Sequence, residues 1–239
     1  MTLGTNFSSF FDMINNIEIA NELPVMVLPG AVLFPRAIMP LHIFEPQYRE
    51  MLKHALGSDR QIVIAGENHP GSENADCSEA SHTIASVGLI RASHQAEDGT
   101  SNIIVQGLNR VRIIGFLQEQ PYRTALIETL KSEPDTHPAQ LATQRATLRR
   151  LFNVHLKLGG NIPAEIIKFL NGLEDPEAFL DMAAYTLCDE FNTKQHLLET
   201  LNADQRYHFF IDYFRKKNQH LAIDNKVRNG LSESQIELN

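Results

Sequence analysis

Cysteine is almost absent from this chain: Cys77 and Cys188 are the only two, far apart and in no metal-type spacing. That excludes a disulfide framework and makes a reducing compartment, the cytoplasm, the expected location. No apolar run approaches the roughly 18 residues that a membrane span requires. The opening MTLGTNFSSFFDMINNIEIANE has neither the basic start nor the small-residue cleavage site of a secretory signal. Positive charge is also short, with 21 Lys and Arg against 29 Asp and Glu, a net charge of −8. That balance favours solubility and argues against a phosphate backbone as the main ligand. Two catalytic signatures are missing as well. There is no G-x-x-x-x-G-K-[ST] loop to wrap phosphates, and no G-x-S-x-G elbow stands behind Ser101 or Ser132.

What is present suits one large domain or two small ones, since 239 residues with 43% hydrophobic content can bury a real core. Phe7, Phe10, Phe11, Ile14 and Ile17 mark one face of an N-terminal helix, free either to pack on the body or to meet a partner or a membrane surface. The stretch that organises the rest is Leu23 to Leu56, LPVMVLPGAVLFPRAIMPLHIFEPQYREMLKHAL. Pro24, Pro29, Pro35, Pro40 and Pro46 cut its apolar residues into short pieces, because each proline removes a donor and restrains its neighbour. The spacing predicts a strand at Leu23–Leu28, a turn at Pro29-Gly30, an irregular apolar loop through Phe34-Pro35 and a second strand at Pro40–Phe44. Pro46 then opens a helix, where its missing N–H costs nothing. In that helix Tyr48, Met51, Leu52 and Leu56 face inward, while Gln47, Glu50, Lys53 and His54 face out.

These residues carry a resemblance. The matches are Leu23, Pro24, Leu28, Pro29, Gly30, Leu33, Phe34, Pro35 and then Pro40, Leu41, His42, Ile43, Phe44, Glu45, Pro46, Tyr48 and Arg49. Together they resemble the opening of the N-terminal, substrate-binding domain of the Lon protease family, an LP–x–LPG–LFP run followed by PLHIFEPRYR. Gln47 departs from that family's usual arginine. Further landmarks are similar: Val87-Gly88, the Asp98-Gly99 turn, Gly107 with Arg110, Pro121-Tyr122, and later DPEAFLDMAA, KQHLLE and Arg206. The resemblance implies an α+β chain: a PUA-like β-pseudobarrel with one short helix, followed by an α-helical bundle.

The remaining pattern agrees with that division. Gln61–Ala65, Ile84–Ser93 and Tyr122–Leu130 read as strands, and Ile103, Val105, Val111 and Ile113 bracket Gly107-Leu108-Asn109. Gly66 to His82 is a long polar loop. Past Pro134–Pro138 the period becomes helical. One helix ends at Gly159-Gly160 and a short one covers Pro163–Asn171. Asp175 caps a third, and Asn192 with Gln195 and Asn202 with Gln205 resemble capping boxes. The expected organisation is an amphipathic extension (1–22), the β domain (23–133), the bundle (134–221) and a polar, frayed tail (222–239).

The resemblance implies a holder of polypeptides without the ATPase or peptidase modules, hence a stand-alone, non-enzymatic module or adaptor with no cofactor. Its expected partners are unfolded or partly folded polypeptides, with a separate protease or chaperone as an open question, as is the oligomeric state. A small-ligand or RNA-binding PUA-like module is the alternative. The candidate peptide-binding residues are Leu33, Phe34, Ile38 and Met39 in the proline-interrupted loop, with Gln47, Glu50 and His54 beside them. For the loop, plugging the barrel end is the competing reading; a groove between barrel and bundle is a second candidate surface. His42, Phe44, Glu45, Tyr48 and Arg49 are expected to fix the strand-to-helix junction and not to catalyse. His69, Cys77, His82 and His94 match no structural zinc spacing. Arg110, Arg112 and Arg123, and Arg145, Arg149, Arg150 and Lys157, read as solvated or salt-bridged faces and not as an RNA track.

Overall fold

The structure, a computed structural model, describes residues 17–68, 81–133 and 138–234. In chain order the elements are β1 (Glu22–Leu28), β2 (Ile38–Ile43), α1 (Pro46–Leu56), β3 (Gln61–Gly66), β4 (Ile84–Gln95), β5 (Ser101–Gln118), β6 (Thr124–Thr129), α2 (Pro138–Lys157), α3 (Ala164–Gly172), α4 (Pro176–Leu187), α5 (Phe191–Glu199) and α6 (Ala203–Ser234). The class is α+β, as the sequence implied. Two compact units emerge: Met1–Lys131 with Cys188–Glu199, and Ser132–Leu187 with Thr200–Asn239. Helix α5, read from the sequence as part of the bundle, groups with the strands.

In the first unit the strand order is β2-β5-β4-β3-β1-β6, and β6 pairs again with β5, which closes the sheet on itself. The pairing of β1 with β3 is parallel; the other pairings are antiparallel. Closure depends on β5. This strand runs through Gly107–Asn109 unbroken for 18 residues. Its first half pairs with β2 and its second with β6, while β4 follows the opposite edge. Register shifts between Ile113 and Gly115 and between Phe116 and Gln118 bend it through that change of partner. The inward alternate residues, among them Val25, Val63, Val87, Val111, Ala125 and Ile127, form the core, and Ile17, Ile19 and Ala20 pack against it. The rest of the expected N-terminal helix lies outside the described residues, as does most of the polar loop before His82.

The segment between β1 and β2 turns inward. Leu33 and Phe34 are fully buried. The Ser86 hydroxyl donates to the Leu33 carbonyl at 2.6 Å. Arg36 N–H donates to Gly107 O at 2.8 Å, and Gly107 N–H donates to Ala37 O at 2.9 Å. A Cβ on Gly107 would lie 2.0 Å from the Phe34 carbonyl oxygen, so only glycine lets the two backbones meet. Helix α5 is held to the barrel by Gln195, which donates to Ile84 O at 3.0 Å, and by buried Arg110, whose Nε donates to Leu198 O at 3.0 Å.

The second unit is helical. Leu141, Leu148 and Phe152 of α2, Phe179 and Ala183 of α4, and Tyr207, Phe210 and Phe214 of α6 are all buried. Phe152 and Phe210 each meet Phe214 edge-on, with centroids 4.7 and 5.1 Å away. Arg206 is the polar centre: its guanidinium donates to Asp181 Oδ1 and Glu177 Oε2, each at 2.6 Å. The expected caps form at Asp175, which accepts from Glu177 N–H at 3.1 Å, and at Asn202, which accepts from Gln205 N–H at 3.0 Å. The one at Asn192 does not. Helix α5 already begins at Phe191, and Lys194 N–H donates back to Glu190 O. Nor does the chain fray at Ala222, because α6 continues to Ser234.

Candidate functional site

Strand β2 ends the strand order and pairs with β5 alone among the described strands. Because Gly107 N–H donates to Ala37 O, alternation turns the backbone groups of Met39, Leu41 and Ile43 toward β5 and those of Pro40 and His42 away from it. A proline is tolerated at an outward position of an edge strand, since no ladder donor is lost. The side chains alternate too. Met39 and Ile43 are buried, whereas Ile38, Pro40 and His42 are exposed. Across the pair, Pro40 stands opposite Ile104 and His42 opposite Asn102.

This outward face is apolar. Ile38 is 45% exposed, Phe44 61% and Ile104 36%, large values for such side chains. His42 stacks on Phe44 with ring centroids 6.1 Å apart and hydrogen-bonds through Nδ1 with Asn102 Oδ1 at 2.9 Å. A groove of about 570 Å³ runs along it, lined by Pro40, Leu41, His42, Ala92, His94 and Ile104 among others. Ala92 and His94 come from β4, which pairs with the same stretch of β5.

Helix α1 supplies the next wall. Pro46 occupies its first turn and Lys53 and His54 its last. Inside the junction, Tyr48 OH donates to Val27 O at 3.1 Å, and burial pushes the phenol above its ordinary range. Glu45 accepts from Gln47 Nε2 at 2.9 Å. Arg49 reaches over the β4–β5 turn, where a Cβ on Gly99 would fall 2.0 Å from its Nη2. Gly99 has φ +82°, the left-handed conformation that the turn requires. Asp98 in that turn accepts from the Thr100 backbone and hydroxyl, which holds its carboxyl below the usual range. His54 bonds the Tyr122 hydroxyl at 2.8 Å. Between α1 and the turn lies a second groove of about 630 Å³, lined by Arg49, Glu50, Lys53, His54 and Gly99 among others.

The structure therefore sorts the sequence candidates. Leu33 and Phe34 plug the barrel, and Met39 at 8% exposure faces inward, so of the four loop residues Ile38 alone reaches solvent appreciably. Glu50 and His54 line the second groove, with Gln47 exposed on the same helix. The family-signature residues divide as well. Tyr48 anchors the junction, while His42, Phe44 and Arg49 reach the surface. Ile104, Asn102, Ala92 and His94 were missed; the period-2 pattern of β5 would have put Ile104 outside with its neighbours inside.

The arginines expected on solvated or paired faces are mostly engaged. Arg112 pairs with Glu128 at 2.8 Å and Arg123 with Glu119 at 2.9 Å. Arg145 and Arg149 donate to the backbone carbonyls of Glu174 and Asn171 and lie over the Phe179 ring. His82 meets Glu199 at 3.1 Å, and His69 and Cys77 lie outside the described residues. Among the described residues no three His, Cys, Asp or Glu converge as metal ligands, and no helix is long and apolar enough to cross a membrane.

Among known proteins, this chain is similar to Lon proteases and to Lon N-terminal domains. The chain is 26% identical to the Lon protease of Halothermothrix orenii over 204 residues, which is 85% of this chain and 26% of that protein. Against the Lon protease of Escherichia coli K12 it is 24% identical over 208 residues, 87% of this chain and again 26% of the relative. It thus spans about a quarter of the length of these curated relatives. Its fold is that of the N-terminal domain of the Mycobacterium avium complex Lon protease, at TM-score 0.63 and 20% identity, covering 81% of this chain and 98% of that one. A Lon N-terminal domain protein from Xanthomonas campestris superposes at TM-score 0.56 and 14% identity, covering 81% of this chain and 99% of that one. The family described as ATP-dependent protease La (LON) substrate-binding domain matches residues 22–216, which take in every strand, the closed sheet, the plug and most of the helical unit; the chain belongs to that family.

Proposed function

We propose that this chain is a non-enzymatic module that holds unfolded or partly folded polypeptides and hands them on, as an adaptor, to a separate protease or chaperone. The observation that carries the reading is the exposed apolar face of β2 and β5: Ile38, Phe44 and Ile104 beside a groove of about 570 Å³. Exposed aromatic and β-branched side chains next to an edge strand suit an extended segment, which gains apolar burial from the face and main-chain bonds from the edge. The second groove, of about 630 Å³, contains the candidate residues Glu50 and His54, with Gln47 close in sequence on α1.

The test is a binding assay with the purified chain immobilised. Reduced, carboxymethylated α-lactalbumin is offered beside its folded form, to wild type and to a Phe44→Ser/Ile104→Ser variant. Both substitutions are at exposed positions and change stability little. Retention of the unfolded form by wild type, and its loss in the variant, is the expected result. Equal indifference to both forms sinks the reading.

A further inference from the structure

The groove between α1 and the β4–β5 turn differs in chemistry from the apolar face. Arg49, Lys53 and His54 bring three basic side chains to it from consecutive turns of α1, against one carboxylate, Glu50, in its lining. Arg49 and Lys53 make no ion pair among the described residues. In a chain of net charge −8, two cations that make no ion pair and line one cavity form a locally basic surface. Asp98 in the turn interacts with Arg49 through charge without forming an ion pair, while its Oδ1 accepts from the Thr100 N–H and hydroxyl at 2.9 and 2.8 Å. The cavity, at about 630 Å³, is of ligand size. Arg49 Nη2 lies over the turn, in the space where a side chain at residue 99 would begin. His54 is held in place by its bond to the Tyr122 hydroxyl at 2.8 Å.

The geometry points to a carboxylate-binding pocket, in which Arg49 and Lys53 take a carboxylate of a bound polypeptide, either its C-terminus or an acidic side chain. A planar guanidinium offers a carboxylate two parallel N–H bonds, and Lys53 adds a point charge one helical turn away. Ser93 and Gln95 of β4 and Ser101 of β5, also in the lining, can donate to the remaining carboxylate oxygen or to the peptide backbone. The inference rests on the polypeptide-holding reading and adds to it a sign of charge that the held segment carries.

Fluorescence anisotropy on the full chain tests it with three labelled ten-residue apolar peptides. One has a free C-terminus, one is amidated, and one is amidated with an internal glutamate. The free-acid or the glutamate peptide binds about tenfold or more tightly than the plain amide, as a charge-assisted hydrogen bond implies. Raising salt narrows that gap. Arg49→Gln and, independently, Lys53→Gln on the exposed face of α1 reduce the preference. Preference for the free acid alone identifies the terminus as the source, and equal preference for the glutamate peptide identifies the side chain. If all three peptides bind alike, or if neither substitution alters the preference, the pocket assignment falls and the polypeptide-holding reading stands. Should no peptide bind, both fall.

Discussion

Gly107→Ala is the substitution that most directly probes how the loop between β1 and β2 became core. The new Cβ would sit 2.0 Å from the carbonyl oxygen and 2.9 Å from the carbonyl carbon of Phe34. Both are backbone atoms, with no rotamer through which to move aside. Either the strand yields or the plug leaves. A small local shift costs about 1–3 kcal/mol, the usual range for overpacking. Expulsion costs more. Leu33 and Phe34 are both fully buried, and each contributes about 1.5–3 kcal/mol by burial, so releasing the pair removes about 3–6 kcal/mol. The bonds from Arg36 N–H to Gly107 O and from Gly107 N–H to Ala37 O are lost with them. Against a typical total of about 5–15 kcal/mol, that is a large fraction. Urea denaturation at 25 °C measures it, with ANS fluorescence reporting exposed apolar surface in the native baseline. Gly115→Ala in the same strand is the control, since a Cβ there meets nothing within 4 Å. The expected result for G107A is a fall of about 1–3 kcal/mol if the strand yields, or about 3–6 kcal/mol with raised ANS binding if the plug leaves, against a change of about 1 kcal/mol or less for G115A. Matching midpoints for the two variants would refute the close-approach argument.

Two further outcomes follow from the helical unit. Arg206→Leu strips the buried Asp181 carboxylate, itself 2% exposed, of its partner, and destabilises by about 3–5 kcal/mol; R206L/D181L recovers much of that, and strictly additive costs in the double-mutant cycle would contradict the pairing. Tyr207 is buried with its hydroxyl donating to Pro176 O, and burial holds the phenol far above its ordinary value of 10.0. Below pH 10 it is neutral in both states and its contribution is complete. As pH climbs past 10 the unfolded chain ionises first, so stability falls by about 1.4 kcal/mol per pH unit for this group until the folded form titrates. Tyr48 and Tyr185 shift in the same direction and steepen the decline. Urea midpoints between pH 9 and 11.5 show a shallower slope for Tyr207→Phe than for wild type; an unchanged slope would show that the residue is not sealed from solvent.

Much of the fold was legible because its local signals were strong. The prolines at 24, 40 and 46 placed β1, β2 and α1 to within about two residues, and Asp175 and Asn202 cap where short polar side chains should. The misses share a cause, which is that tertiary partners decided them. Gly107 shows no partner when met in sequence, yet its lack of a Cβ serves a loop more than 60 positions earlier, and β5 runs straight through it. Asn192 carries the right side chain for a cap, but α5 starts two residues sooner than that cap would place it, with Glu190 accepting from Lys194 N–H and from the Thr193 hydroxyl. Arg110 alternates with its neighbours as an outward residue should. It is nevertheless buried, because α5 returns from about 80 residues downstream to cover it.

The candidate surface was half legible, for a reason that concerns the same proline-rich segment. Apolar residues without a regular period can be buried by a plug or presented to a ligand, and composition does not distinguish the two. What decides is which residues find a complementary backbone. Leu33 and Phe34 find Gly88 and Gly107, where missing side chains leave room, and they go inside. Ile38 begins a strand whose alternation turns it outward, and Phe44 follows the last strand residue at the bend into α1 and is left exposed. One run of sequence thus seals the barrel with its first half and exposes apolar side chains with its second. Since Arg36, Ala37 and Gly107 join the two halves through backbone bonds, disturbing the plug should also disturb the register of β2. G107A should therefore weaken capture of unfolded α-lactalbumin even though it bares more apolar surface. Stronger capture by the variant would mean that the buried pair, and not the ordered outer face, does the holding.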